Sequence, residues 1–560
     1  MVLTRILRGI TMLKKHYKII VVLLMFITVS TITNYREVIV MANKYCNLDG
    51  TQKISEEYPK ITNGFGLVET DVNTVDDRVT TIITTPLDGI GATQEIIDAR
   101  QGEISLGENI TGIKTQLAEI ATNVRTLGAV GDGVTDDTSS IQLAIDNGTT
   151  VLFPQGIYKI SGMLTLHSNL ILKMENCKIV QSIKGHTFFG SNIKNVEIIG
   201  HNFEMESSIF DVNAVDTSLY GGHMVYIGKE SENISIKGIT VNNSTGDCIS
   251  ISNIDTVLSG DNKNIRIEDC ILNHPYRIGL SITSCDGALI KNCEFNYANH
   301  LVVKWGVDLE PNANYHVKNI KFKDCKARYN SSGFGGSNYE TNIVFENCLA
   351  ELNIDMGFYL EGATFPINDV TLINCRSINN SQISIYGLGI QKLTLINCEC
   401  INEITPASYI MQVSTVKEIN IKNSILSSTL SVNGLYLTFD TNSIFNIENS
   451  IVKADKVAIY TNLEKAIIKN NTLENITGTH IMENRNGRYN VSDNIFISGV
   501  LTSGTFNMYT MSSSNTPKII LLNNDFEGGA FGGSFYIAAG EIINGGNITK
   551  SGVYSTTTTS

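Results

Sequence analysis

The chain predicts an all-β fold, a single-stranded parallel β-helix, and three observations carry that prediction. First, one phrase recurs: alternating apolar residues, then Asn or Asp, then one small residue that is usually Cys. It reads Asn176-Cys177, Asp269-Cys270, Asn292-Cys293, Asp324-Cys325, Asn347-Cys348, Asn374-Cys375 and Asn397-Cys398. It continues as Asn423-Ser424, Asn449-Ser450, Asn470-Asn471, Asp493-Asn494 and Asn523-Asn524. Second, from Cys270 onward the step is 21 to 32 residues, a period that belongs to solenoids. Third, Ile265-Arg266-Ile267, Ile343-Val344-Phe345, Val370-Thr371-Leu372 and Leu393-Thr394-Leu395 are short period-two strands with no ten-residue helical pattern between them. Leucine-rich and helical repeats therefore fit poorly, and stacked coils of strands fit well.

Stacking explains the residue types. Asn and Asp tolerate the left-handed backbone of a tight turn and can hydrogen-bond to the same residue one coil away, about 4.8 Å distant. Cys is small enough to line an interior corner. The chain has 11 cysteines. Spaced singly by whole coils, their side chains run parallel, so they predict a reduced structural ladder rather than disulfides. With no CxxC pair, zinc is not expected, and neither metal nor cofactor is called for.

Composition bounds the function. A chain of 560 residues with 42% hydrophobic content can bury a long core. Its net charge of −13 leaves no basic footprint for nucleic acid.

Taken in order, residues 1–40 are a hydrophobic leader: Arg5, Arg8, Lys14, Lys15 and Lys18 precede an apolar run from Ile19 to Ile32. It reads as a signal sequence or short membrane anchor. A third reading is favoured: Arg36-Glu37-Val38-Ile39-Val40 can be encoded as AGG-GAG-GTG-ATA-GTA, a ribosome-binding site and spacer, so that translation starts at Met41. Residues 41–122 form connectors with two brief heptad seams, Val68, Val72, Val75, Val79 and Ile82, then Leu106, Ile110, Ile113, Leu117, Ile120 and Val124. These are amphipathic helices packed on their own chain, or a parallel trimeric stem, which β-branched seam residues favour. Residues 123–550 are assigned to the β-helix and 551–560 to a polar tail.

The stretch Asn123-Val124-Arg125-Thr126-Leu127-Gly128-Ala129-Val130-Gly131-Asp132-Gly133-Val134-Thr135-Asp136-Asp137-Thr138, followed by Ile141-Gln142-Leu143-Ala144-Ile145, resembles the opening motif of the pectate-lyase-like superfamily. The resemblance implies a right-handed β-helix of the kind shared with bacteriophage tail spikes. Asp137 or Thr138 is expected to cap a helix from Ser139 to about Asn147, with Gln142 completing a capping box from Ser139. Asp132, Asp136 and Asp137 are then read as structural rather than catalytic. Asn47-Leu48-Asp49-Gly50, Asn63-Gly64-Phe65-Gly66 and Asp98-Ala99-Arg100-Gln101-Gly102 resemble the virion-attachment region of tail proteins from phages of Gram-positive bacteria. That resemblance implies a phage tail or baseplate protein as partner for the N-terminal region and a place on the virion tail; the homotrimer follows from the trimeric-stem reading of the seams.

Chemistry on such a scaffold must come from outward side chains. One strand of successive coils aligns as Ile249-Ser250-Ile251-Ser252, Leu280-Ser281-Ile282-Thr283, Val307-Asp308-Leu309-Glu310, Phe358-Tyr359-Leu360-Glu361 and Ile383-Ser384-Ile385-Tyr386. Alternation sends Asp308, Glu310, Tyr359 and Glu361 outward. Asp308 and Glu310 stand about 6.5–7 Å apart at Cα, with Glu361 about 10 Å further along the column. Carboxyls about 6.5–9.5 Å apart suit inverting glycoside hydrolysis, and a close pair raises the pKa of one member. The alternative is a solvated acidic surface. Trp305, the one tryptophan of the chain, and Tyr359 and Tyr386 are candidate sugar platforms, with a core role for Trp305 as the alternative. The step from Cys293 to Cys325 is the longest, 32 residues, and marks an extra loop able to wall a groove.

Thr245-Gly246-Asp247-Cys248-Ile249 is similar to a polygalacturonase motif in which paired aspartates precede Cys-Ile, but Gly246 replaces the first aspartate. Neither the Gly-His-Gly nor the Arg-Ile-Lys element of that family is present. Asp247 is kept as a reserve acid. Lyase chemistry is less favoured, because it would need a basic proton acceptor and, usually, calcium-binding carboxylates, and no matching Arg or Lys and Asp cluster stands out along the chain. The leading function is a phage tail spike or fibre that binds and cleaves a bacterial surface polysaccharide. The alternatives are a receptor-binding adhesin without catalysis and a secreted or membrane-anchored enzyme translated from Met1.

Overall fold

The computed structural model describes residues 121–549 apart from short intervals, the longest at 211–221 and 528–540. The leader, the first heptad seam, the second seam up to Ile120 and the tail 551–560 lie outside the described residues. Val124, the last member of that seam, instead opens a 3-10 helix, Val124–Leu127, and is buried in the β-helix core.

The opening motif folds as a set of turns and a cap. Gly128, Gly131 and Gly133 have φ of 102, 67 and 78°, where a side chain would be strained. The Asp132 carboxylate accepts from the amides of Val134 and Thr135, and Asp136 accepts from Thr138 and Ser161. Hydrogen bonds from the Ser161 and Thr138 side chains hold the Asp136 carboxyl down at about 2. Helix Thr138–Asn147 follows, with Asp137 at its N-cap position. The expected capping box does not form. Asp137 turns away to accept from the amides of Val130 and Gly131, at 2.6 and 3.0 Å. Gln142 reaches across to exchange hydrogen bonds with the backbone of Thr165. Ile141, Ala144 and Ile145 of the helix join the same core as the strands.

Beyond the helix the chain winds in coils of up to three short strands, and every described strand pairing is parallel. Asn262–Glu268, Ile271–Asn273 and Leu280–Ile282 make one coil; Cys285–Lys291, Glu294–Asn296 and Trp305–Leu309 make the next and pair with them in turn. The fold prediction is met in its strand architecture. Inward positions form one continuous core that includes the stacked pairs Phe322–Phe345 and Phe334–Phe358, with ring centroids 5.1 and 5.2 Å apart.

The recurring phrase marks one corner of the coil. Each described Asn or Asp in it has φ between 50 and 57°. Asn292 donates to Asp269, Asn347 to Asp324, Asn374 to Asn347 and Asn397 to Asn374, at 2.9 to 3.1 Å. The gap between Cys177 and Cys270 holds two further rungs, Asn202-Phe203 and Gly238-Ile239, where larger apolar residues take the cysteine place. All ten described cysteines are free and buried, as the ladder reading expects. Burial pushes the Cys177 and Cys400 thiols up to about 12, so they pack as small apolar groups. Towards the C-terminal end Asn replaces Cys and caps the neighbouring coil: the amide of Asn471 donates to Asn494 Oδ1 and that of Asn494 to Asn524 Oδ1.

Candidate functional site

One strand column carries the candidate residues. Register places Phe189, Tyr226, Ser250, Ser281, Asp308, Gly335, Tyr359 and Tyr386 in a single outward line across successive coils. Four of the five aligned rows hold. The fifth is displaced by two residues, because Ile385 rather than Ile383 pairs with Phe358, which sets Tyr386 directly beside Tyr359. A coil that the alignment lacks, Ser332–Ser337, lies between Asp308 and Tyr359.

Asp308 points away from the coil interior, yet it is only 1% exposed, so the solvated-surface alternative does not describe it. Its Oδ1 has no hydrogen-bond partner among the described residues. Burial raises its pKa well above the usual carboxylate range, and the charges of Glu310 and Asp247 and a hydrogen bond shared with Glu310 add to the rise, against Arg277. Glu310, two residues on, is exposed. Glu310 is thus close enough to bear on the Asp308 proton. The pair joins a proton held in a dry place to a carboxylate that solvent reaches.

Asp247, the reserve acid, lies in this cluster. It is fully buried and receives two hydrogen bonds from Arg277, Nε to Oδ1 at 3.0 Å and Nη2 to Oδ2 at 3.3 Å. The coils thereby assemble the Arg and Asp pair that does not stand out along the chain, from residues 30 apart in sequence. Arg277-Ile278 preserves the first two residues of the Arg-Ile-Lys element, and that was the available signal for Arg277. His223 and His186 form the cluster's far wall. The Asp247 amide donates to His223 Nδ1 at 3.1 Å, and the His223 amide donates to His186 Nδ1 at 3.2 Å. Burial lowers the pKa of both rings, and at His223 it does so against the charge of Asp247, whose Oδ2 lies 3.4 Å from Nδ1. His186 stacks on His223, Tyr226 and Phe189.

On the other side of Asp308 stand the candidate platforms. Trp305 is half-buried on the outer face rather than in the core, and its ring packs 4.9 Å from Tyr359, which stacks on Tyr386 at 5.2 Å. The Tyr359 hydroxyl donates to Glu361. Glu361 pairs with Ser337, next to Gly336, which pairs with Leu309; it therefore falls in the column of Glu310, two coils on, as aligned. Of the long loop, residues 299–303 and 313–314 lie outside the described residues, while Asn312 folds back to donate to Asn253 O and Thr283 Oγ1.

Glu340 was not legible as part of the site. Its carboxyl lies in the coil interior against Gly336, fully buried, with no hydrogen-bond partner of good geometry for either oxygen among the described residues. Burial, reinforced by the nearby Asp308 charge, raises its pKa well above the usual range.

Comparison with known proteins bears on the class. Residues 121–330 match the family described as rhamnogalacturonase A/epimerase, pectate lyase-like, and residues 257–405 match the right handed beta helix region. The chain is a pectate-lyase-like right-handed β-helix protein. It is similar to the pre-neck appendage protein of Bacillus phage B103, 21% identical over 315 residues that cover 51% of this chain and 34% of that protein. It is also similar to plasmin and fibronectin-binding protein A of Streptococcus pneumoniae, 28% identical over 194 residues, 33% of this chain and 25% of that protein. Alginate lyase 7 of Azotobacter vinelandii is 36% identical over 104 residues, 18% of this chain and 11% of that protein. The matches span about a third or less of the length of these relatives.

Proposed function

We propose that this chain is a phage or prophage tail spike or appendage protein that binds a bacterial surface polysaccharide and cleaves its glycosidic bonds at the Asp308 face. One observation carries the reading: a buried carboxyl with an oxygen unpaired among the described residues lies close to an exposed carboxyl, beside a run of aromatic rings. Asp308 donates its proton to the leaving glycosidic oxygen. Glu310 takes a proton from the water that attacks the anomeric carbon as the bond to that oxygen breaks. In this reading the two carboxyls hold the attacking water between them, the inverting arrangement. Asp247 and Arg277 set the field around Asp308, and Glu361, tied to Tyr359, accepts sugar hydroxyls. Trp305, Tyr359 and Tyr386 hold the rings of the glycan.

Purified surface polysaccharides of candidate hosts test this. Asp308→Asn and Glu310→Gln should each lower the release of reducing ends about 10²–10⁴-fold while leaving polysaccharide binding intact. Wild-type turnover in both variants would remove the site. The aromatic run also suits a receptor-binding adhesin without catalysis, and similarity to a fibronectin-binding protein keeps that reading in view. No reducing ends from any polysaccharide, together with loss of binding in Trp305→Ala, would select it. The N-terminal region is proposed to attach to a tail or baseplate protein and to trimerise, so light scattering should give three times the mass of the translated chain.

A further inference from the structure

The groove that carries Asp308 is edged by a second outward line, Thr283, Glu310, Ser337, Glu361 and Leu388, which strand register sets two residues beyond the line of Asp308, Tyr359 and Tyr386. Glu310 is exposed, and Ser337 and Glu361 are half-buried. Acids on the outer face of these coils are commonly paired with a base on a neighbouring coil: Glu294 with Lys326 at 2.9 Å, Glu346 with Lys323 at 2.7 Å, Glu351 with Arg328 at 3.2 Å and Glu399 with Arg376 at 2.7 Å. Glu310 and Glu361 break this habit. Among the described residues neither has a base within ion-pair distance.

The bases around the groove are spent or distant. Arg277 gives Nε and Nη2 to Asp247, and His316 Nδ1 lies 3.1 Å from Asp261 Oδ2. Lys304 precedes Trp305, six residues before Glu310 and so about 20 Å from it along an extended chain. Residues 254–259, 299–303 and 313–314 include no Lys or Arg. Glu361 itself accepts from the Tyr359 hydroxyl, and its charge adds to the burial that raises the pKa of the Tyr386 hydroxyl. Its carboxylate therefore lies among the aromatic rings and keeps lone pairs beyond the one that Tyr359 uses. Asp308, buried with Oδ1 unpaired among the described residues, borders the same line. Among the described residues no group of three His, Cys, Asp or Glu is placed to hold a metal ion, so the positive charge that this edge calls for comes with the ligand.

We propose that the groove selects a polysaccharide bearing a protonated primary amine, an amino sugar left unacetylated, and that Glu361 holds the ammonium. The inference rests on the reading of the Asp308 face as the glycan site, and puts a charged donor at Glu361 in place of a hydroxyl. An ammonium brings three N–H donors, and its hydrogen bond to a carboxylate is charge-assisted. Glu361 stands two coils, about 10 Å, beyond Glu310, so the amine belongs to a sugar on the aromatic side of the bond that is cut. A uronate or phosphate would meet two uncompensated carboxylates at the same edge, which selects against anionic polysaccharides. N-acetylation removes the charge and with it the attraction.

Saturation-transfer NMR on the full chain at pH 6, with EDTA present to exclude metal bridging, tests this. The probes are the methyl glycosides of glucosamine, galactosamine and mannosamine, their N-acetyl counterparts and methyl glucuronide. At least one amino glycoside should receive at least threefold more saturation than its N-acetyl counterpart and than the glucuronide. Raising the salt from about 10 mM to about 1 M should cut that signal at least threefold, because the attraction is between charges. Glu361→Gln, nearly the same in shape, should lower it at least threefold, whereas Glu197→Gln on another strand should leave it unchanged. Glu361→Lys should reverse the order and favour the glucuronide, a gain of binding that a misfolded variant would not show. Amino glycosides that bind no better than their N-acetyl counterparts, or a Glu361→Gln signal equal to wild type, would overturn the proposal. Failure of the cleavage reading shows in the release of reducing ends, which this readout does not use.

Discussion

The indole of Trp305 lies over Gly335 so closely that a Cβ on the glycine would stand 2.3 Å from Cε3. Gly335 pairs with Asp308, so a missing side chain sets the chain's one tryptophan next to its buried acid.

Gly335→Ala should lift the indole off its seat. Its φ lies outside the left-handed region, so the backbone tolerates alanine and the coil should keep its melting temperature within a few degrees. Because no other tryptophan contributes, the emission maximum reports the ring directly, and it should shift towards the red. Polysaccharide affinity should fall about tenfold, the scale of one lost aromatic contact. An unchanged emission spectrum would show that the ring does not depend on the glycine.

Glu340→Leu should stabilise the protein. An unsatisfied buried polar group costs about 1–3 kcal/mol, and leucine fills similar space in the interior. The sign with pH follows from the raised pKa: the native chain keeps this proton where the unfolded chain has already lost it. The contribution of Glu340 is therefore least unfavourable below the unfolded value and worsens as pH rises. Melting at pH 5 and pH 8 should show a larger gain for the variant at pH 8; a variant less stable than wild type at both would contradict the assignment.

His186 predicts the opposite slope. Burial, with a smaller contribution from His223, holds it down at about 4, so the native state resists a proton that the unfolded chain accepts near its ordinary value of 6.5. Stability is then full above pH 6.5 and is lost as pH falls towards 4. Around it stand His223, which burial also lowers, and the Asp247 and Arg277 pair that acts on His223. His186→Phe keeps the stack and removes the titration. Its melting temperature should fall less than that of wild type between pH 7 and 4.5, and parallel curves would rule out His186 as the source.

Much of the architecture was legible because its rules are local. An Asn or Asp at each corner marks a left-handed residue, and that preference is written in single positions such as Asn347 and Asn374. The rungs at Asn202 and Gly238 were missed because Phe203 and Ile239 stand where Cys was expected. The capping box failed for a different reason: Gln142 had a better partner in Thr165, 23 residues away. In the site, alternation alone placed Asp308, Glu310, Tyr359 and Glu361 outward. It could not place Tyr386 in register, since a slip of two residues leaves the outward parity unchanged.

The sequence by itself determined the coil, its period, its Asn and Cys corners and the strand that carries Trp305, Asp308 and Glu310, because these depend on steric preference and alternation within a few residues. Only the tertiary structure decided that Asp308 is buried, that Arg277 holds Asp247, that the Glu340 carboxyl lies in the interior and that Trp305 rests on Gly335. Those relations join residues from different coils, whose separation along the chain varies with every loop. Burial and electrostatic fields are set by neighbours in space, and the period of the repeat does not specify which residue a neighbouring coil will bring.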